Sequence, residues 1–369
     1  MALLPTQAVN DPTLDAINAA VQNVNNLQKP RPYLGMSAIG MECEAFLWRN
    51  FRWCGPSGGG FDAKSLMNFE DGHRTEDLMA DRLRMVPGVE LYTLDPSTGQ
   101  QFGFSDLGGH FRGHIDGAIR GILQAPKAWH MWENKASEKG PHELAKAKEK
   151  HGEKAALAAW NPTYHAQAIL YMHYGAMDRH YLTCTSPGGR LPITSVRTDA
   201  DDAEAERLKA KAERVIFAGE PLARIGGDAT FWKCKTCVMA SQCHGTALPS
   251  VSCRTCAHAT PERDGDGRWS CARWKSDIPI DAQRTGCDEH RYIPALLSRW
   301  GSATDASETE NWIEYTTPER VVFRNGVRGP GSFASSELAA MSLAMLGDRL
   351  ANEIRNEFDG RFVPAENAA

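Results

Sequence analysis

An α/β fold is the expectation for this chain of 369 residues, and three observations carry it. Segments rich in aromatic and β-branched residues alternate with segments of helical period. Two of the former, 113–123 and 129–135, flank a turn at Gln124–Lys127 that contains Pro126 and so read as a hairpin. The length is ample for a real core and two or three domains. A composition of 42% hydrophobic and 24% charged residues is that of an ordinary globular protein. No apolar run reaches the roughly 18 residues that a membrane span needs. Residues Met1–Pro5 lack the charged and apolar regions of a secretory signal, so a cytoplasmic location is expected. A net charge of −5 excludes a protein that coats nucleic acid with its whole surface. An enzyme acting on nucleic acid would need only a local basic groove.

In chain order, residues 1–30 read as a polar helix or a frayed leader around Leu14–Ile17. Ser37 is placed to cap a short helix whose apolar face is Ile39, Cys43, Phe46 and Leu47. Residues 54–63 are a Gly-rich loop. A helix over Asn68–Met85 follows, with Leu78, Met79 and Leu83 on its apolar side and His73 and Glu76 sharing another face. Residues 86–112 are strands and turns leading into the hairpin. Its first arm holds Asp116 at an exposed end. On its second arm, alternation puts Glu133 and Lys135 on one face. Pairing of the arms then brings Asp116 to Glu133. Beyond it, Lys139, Lys146, Lys148, Lys150 and Lys154 suit either a flank for a phosphate backbone or a helix laced with ion pairs. Pro162 starts a helix that carries Gln167 and Tyr171 four apart. A strand at 180–185 precedes a periodic helix over Asp199–Ala218. Residues 301–310 read as a polar linker. Strands Trp312–Tyr315 and Arg320–Phe323 and one amphipathic helix over 335–358 complete the tail.

Two carboxylates and an ammonium at one spot suit phosphoryl chemistry. Mg2+ or Mn2+ takes carboxylate oxygens, and an ammonium beside it can hold the attacking water or offset charge on the phosphate. A solvated ion pair is the plainer reading, since Glu-x-Lys is common on strands.

The order Gly72-His73-x-x-Glu76, Asp116, Glu133-Asn134-Lys135, Gln167-x-x-x-Tyr171 resembles the RecB-like branch of the PD-(D/E)xK nuclease superfamily. The resemblance covers residues 36–245. It implies a restriction-endonuclease-like core, a mixed central sheet flanked by helices, and a metal-dependent DNA exonuclease. Asp116, Glu133 and the Asn134 carbonyl would hold Mg2+ or Mn2+, with Lys135 assisting the water and Gln167 and Tyr171 shaping the site or touching DNA. The family often places His four residues after the glycine of its first motif. Here Glu76 holds that place and His73 follows Gly72; Glu76 is preferred because relatives also use Glu there.

Ten cysteines in a reducing compartment, most of them between Cys234 and Cys287, point to metal rather than disulfides. Cys234, Cys237 and Cys243 want one centre, either Zn2+ or an iron–sulfur cluster, and lack a local fourth ligand. The set resembles the iron–sulfur nucleases of the same branch, AddB-type nuclease domains and CRISPR-adaptation exonucleases. That implies a structural 4Fe-4S cluster whose fourth thiol is Cys43, with Cys54 in reserve, stapling both ends of the nuclease domain. Cys253, Cys256, Cys271 and Cys287 resemble a zinc ribbon, with His290 as an alternative to Cys287 and His258 nearby. Free cysteines in an irregular loop segment are the alternative. Arg254, Arg263, Arg268, Arg273, Lys275 and Arg284 could grip DNA there.

The expected organisation is a nuclease domain over 1–247, a zinc-ribbon-like module over 248–300, and a linker with a ββα segment over 301–369. The expected partners are DNA, single-stranded or with a free end, and recombination or replication proteins, with phage origin and the host cytoplasm as the setting. No Walker A motif accompanies the chain, so strand separation is not expected. Two other classes compete: a non-catalytic DNA-binding protein, and an iron–sulfur protein whose redox state switches DNA binding.

Overall fold

Asp11 opens the first helix, α1 (Pro12–Asn26), its carboxylate accepting from the Leu14 N–H at 3.0 Å. The computed structural model describes residues 11–363, so the expected leader is described only from residue 11. Strand β1 (Leu34–Gly35) follows, then a 3-10 turn at Met36–Ala38 and helix α2 (Glu44–Phe51). The expected helix capped by Ser37 does not form. The chain instead turns at Gly40, where a Cβ would lie 2.5 Å from the Thr163 Cα. Helix α3 (Ala63–Arg84) is capped by Asp62 and buries Thr75, Met79 and Leu83, while Leu78 stays exposed.

Next come strands β2 (Glu90–Tyr92), β3 (Gly103–Asp106), β4 (Phe111–His114), β5 (Gly117–Arg120) and β6 (His130–Ala136). The stretch 113–123, expected as one strand, is two strands in different sheets. β4 lies between β1 and β3, whereas β5 lies between β2 and β6. The break falls at Ile115–Asp116. Ile115 is held there by two bonds outside either ladder: its N–H to the Phe102 carbonyl at 3.2 Å, and its carbonyl from the Gln101 amide at 3.0 Å. Gly121 (φ +86°) ends β5, because a Cβ there would meet the Gly88 carbonyl.

Helices α4 (Gly140–His151), α5 (Ala156–Trp160) and α6 (Pro162–Tyr174) cross over to β7 (Arg179–Ser186). Pairing of β6 with β7 is parallel, and β8 (Arg190–Asp199) closes the sheet antiparallel. The five-stranded order is β2-β5-β6-β7-β8, a mixed sheet flanked by helices. β8 escaped the sequence because, as an edge, it is mostly polar and buries only Val196 and Thr198. Helix α7 (Asp202–Phe217) then leads to two short helices, α8 (Trp232–Lys235) and α9 (Ala240–Cys243).

Strands β9 (Ala259–Pro261), β10 (Trp269–Cys271) and β11 (Ser276–Asp277) form a small sheet, followed by α10 (Ile280–Thr285). The expected linker at 301–310 is instead largely a strand, β12 (Ser302–Ser307). It pairs with β13 (Trp312–Thr316), then β14 (Val322–Asn325) and β15 (Ser332–Phe333). Backbone pairing needs no apolar side chains, so its polar sequence hid it. The expected tail helix breaks into α11 (Ser335–Ala340), α12 (Leu343–Leu346) and α13 (Arg349–Glu357). Met341 and Ser342 are extended, and the Asp348 carboxylate caps the Ala351 N–H, restarting the chain. Among the described residues no helix is long and apolar enough to cross a membrane.

α3 packs Met79 and Leu83 on Ile119 and Trp132 of the large sheet. Leu144 of α4 and Leu157 of α5 pack with Leu182 and Val196. The largest core joins α2, α6 and α7 to Trp269, Tyr292, Trp300 and Tyr315, so the later segments share it. α13 is locked by the buried Arg355–Glu337 pair at 2.8 Å. Arg355→Ala strands a buried carboxylate and should cost about 3–5 kcal/mol in chemical denaturation. Arg349→Ala breaks only the exposed Arg349–Glu353 pair and should change stability by less than about 0.5 kcal/mol.

Candidate active site and thiol clusters

Gly117 faces Trp132 across the β5–β6 ladder, which puts Asp116 opposite Glu133. Asp116 is half-buried rather than exposed, because its Oδ2 accepts the Asn134 N–H at 2.8 Å. Glu133 is buried, and its Oε2 accepts from the Lys135 ammonium at 2.7 Å and from the Gln167 amide at 3.2 Å. The same amide lies 3.2 Å from the Tyr171 hydroxyl. Gln167 and Tyr171 are both buried, so they shape the site from within. The second Glu133 oxygen, Oε1, is buried with no partner.

Two supporting residues escaped the sequence reading. Thr183 on β7 donates to Asn134 Oδ1 at 2.9 Å and accepts from the Trp132 indole at 3.1 Å. The Lys135 ammonium lies 5.3 Å from the centre of the Tyr164 ring. Tyr164 stands one turn before Gln167 on α6, a spacing that was available as a signal.

Burial and the Asp116 charge push the Glu133 carboxyl up to about 8. The same two causes push Glu76 on α3 up to about 7. Asp116 is itself raised by burial, against the pull of Lys135. Burial works to lower Lys135, but Glu133 and Asp116 outweigh it and hold the ammonium above its ordinary value. Glu76 thus belongs to the cluster. His73 is exposed and contributes only a weak favourable charge to Asp116. Among the described residues no three His, Cys, Asp or Glu side chains stand at metal-ligand spacing. The donor set is nevertheless all oxygen, and it is over-supplied with negative charge and one orphaned oxygen. That chemistry fits a hard divalent cation.

Eight of the ten cysteines fall into two groups, with Cys54 and Cys184 outside them. Burial raises Cys234 and Cys237, and both are raised further by Cys43 and Cys243. Cys54 lies apart: buried, its thiol is pushed up to about 12, with Arg49 and Arg52 as its charged neighbours. In the second group, burial pushes Cys253 up to about 12, helped by Cys256, Cys287 and Cys271. His290 turns its Nε2 to the Thr255 hydroxyl at 3.1 Å, and His258 turns its own to Asn311 at 2.8 Å.

The cations proposed to grip DNA here are mostly spent. Arg254 is buried, Arg263 pairs with Glu213, Arg268 with Asp264 and Asp277, Arg273 with Glu289 and Arg284 with Asp281. Acids sitting three or four residues away, or brought in by folding, took them. Lys148 and Lys154 are likewise paired, with Glu153 and Asp199.

No protein-family model matches the chain, and no curated protein does. Among solved structures it is similar to an alkaline exonuclease from Laribacter hongkongensis, at 15% identity and a TM-score of 0.34, covering 55% of this chain and 90% of that one. A phage-related exonuclease from Haemophilus somnus overlaps at 14% and 0.27, covering 52% and 94%. The protein SSO0001 overlaps at 12% and 0.33, covering 63% and 96%. Overlaps of this quality carry no functional argument, and the chemistry rests on the site's own geometry.

The raised carboxyls set a pH dependence. Folded protein without divalent cations keeps protons on Glu133 and Glu76 that the unfolded chain releases near the ordinary value of 4.5. Their contribution is therefore full below that value and is lost as pH climbs toward about 8. Denaturation midpoints measured in chelator should fall across this window, and Glu133→Gln should flatten the fall. Equal slopes for the two proteins would mean that Glu133 titrates normally.

Proposed function

We propose that this chain is a metal-dependent DNA exonuclease that hydrolyses phosphodiester bonds at Asp116, Glu133, Lys135 and Glu76. The observation that carries the reading is the crowding of three carboxylates around one ammonium, with a buried Glu133 oxygen left without a partner. A divalent cation would displace the protons that crowding keeps on Glu133 and Glu76 and would take up the free oxygen. The motif order from Gly72 to Tyr171 supports the nuclease class.

Asp116, Glu133 and Glu76, with the Asn134 carbonyl, would hold Mg2+ or Mn2+. The bound ion supplies Lewis acidity toward the phosphate and makes a water acidic enough to attack. The protein's own part is positioning. The Asn134 N–H fixes the Asp116 carboxylate. Gln167 holds one Glu133 oxygen and leaves the other free. Lys135 stays protonated and so acts as a donor, orienting the nucleophile and offsetting charge that develops on the phosphate. His73, exposed one turn from Glu76, is available to the substrate rather than to the ion.

In the same reading, Cys43, Cys234, Cys237 and Cys243 hold a structural 4Fe-4S cluster, and Cys253, Cys256, Cys271 and Cys287 hold Zn2+. The thiols of each set raise one another's pKa, which supports this, as do the other engagements of Cys54 and His290.

Digestion of end-labelled and circular DNA with Mg2+ or Mn2+ tests the activity. Stepwise shortening from an end is expected, with Lys135→Ala and Glu133→Ala slower by about two to three orders of magnitude. Wild type as inert as Lys135→Ala in both metals would make the cluster scaffold. Metal analysis after anaerobic purification tests the thiols: Cys43→Ser should lose iron and keep zinc, and Cys287→Ser the reverse. A colourless wild type with zinc alone would overturn the first assignment.

A further inference from the structure

Arg49 takes no part in this chemistry, yet it is a buried cation without a counter-ion. It sits in the last turn of α2 and is 6% exposed. Its Nε and Nη1 have no hydrogen-bond partner. An unpaired buried guanidinium is costly, and proteins seldom keep one without something to bind it. Its side chain lines a cavity of about 320 Å3 with Arg224, Arg299, Gln242 and Ser298, and no acidic residue lines that cavity. Arg224 spends one N–H on the Cys243 carbonyl at 3.2 Å. Among the described residues none of the three arginines pairs with a carboxylate, in contrast to the paired arginines of the second cysteine segment. Glu220 and Asp228 each lie four residues from Arg224, and neither lines the cavity. Asp228 is held by the Thr230 N–H and hydroxyl at 2.7 and 2.6 Å.

We propose that this cavity binds a phosphate group, with Arg49 as its floor and Arg224 and Arg299 as its rim. Guanidinium forks match the oxygens of a phosphate two at a time. Ser298 and Gln242 add neutral donors and no carboxylate faces the cavity; Cys243 also lines it, so as a cluster ligand its thiolate is the negative charge that the three arginines must outweigh. The space accommodates a phosphate with an attached sugar. The same chemistry is offered by free inorganic phosphate and by the terminal phosphate of a DNA strand. The proposal shares no residue with the carboxylate cluster and does not depend on the nuclease reading.

Calorimetric titration of the full-length, anaerobically purified protein tests it, in a Lys135→Ala background so that no strand is consumed. The probes are inorganic phosphate and one short single-stranded oligonucleotide with a 5′-phosphate, a 3′-phosphate or hydroxyls at both ends. Inorganic phosphate should bind, and Arg224→Gln and Arg299→Gln, both at exposed positions, should each weaken it about tenfold. A phosphorylated strand binding about tenfold tighter than its hydroxyl twin, with the gain lost in both variants, assigns the site to DNA ends. Equal binding of the strands, with inorganic phosphate still bound, assigns it to the free ion. No binding of inorganic phosphate by wild type, or unchanged binding in both variants, overturns the proposal. Loss of iron in the variants with phosphate binding unchanged also overturns it, and makes the arginines a charge balance for the neighbouring thiolates.

Discussion

A carboxylate on the inner face of a central strand must be compensated from within the fold, and Glu133 sets that condition here. Water cannot reach it, so the compensation comes from Lys135 two residues along the same strand and from Gln167 on α6. That requirement fixes how α6 sits against the sheet. Asn161 caps α6 so that its first turn is already in place under Lys135, where Tyr164 meets the ammonium. Gly40 lets the chain before α2 lie directly against Thr163 in the same turn. The chain segment bearing Cys43 is thereby seated on the helix that supports Glu133. Compensation is incomplete by one oxygen, Glu133 Oε1, which has no partner.

Much of this was legible beforehand because it follows from short periods. Alternation placed Glu133 and Lys135 together, pairing placed Asp116 opposite, and helical spacing placed Gln167 with Tyr171. What escaped depends on partners distant in sequence. Nothing in Gly113–Gly117 announces that the chain leaves one sheet for another, since the switch is enforced by Phe102 and Gln101 on a neighbouring segment. β12 was hidden because its six residues are small or polar, and its order comes from the ladder to β13.

The basic residues teach a related lesson. Counting arginines around residues 254–284 suggested a gripping surface, yet folding gave nearly all of them a carboxylate or a buried berth. Arg49 attracted no notice in the sequence, where it reads as the polar end of an apolar helix. Charge that matters for binding is the charge left over after internal pairing, and that remainder belongs to the tertiary structure alone.

Arg254 carries the same principle to the architecture of the chain. It is fully buried with its guanidinium 4.0 Å from the Trp53 ring centre and 4.5 Å from that of Trp269. It donates to the backbone carbonyls of Phe51 at 3.0 Å and Pro32 at 2.8 Å. A residue from the second cysteine segment thus completes the backbone bonding at Pro32 and Phe51. Shortening the gene after residue 247 would leave those carbonyls without donors and open an aromatic surface to water. A chimaera that exchanged one segment without the other would therefore have to rebuild this contact.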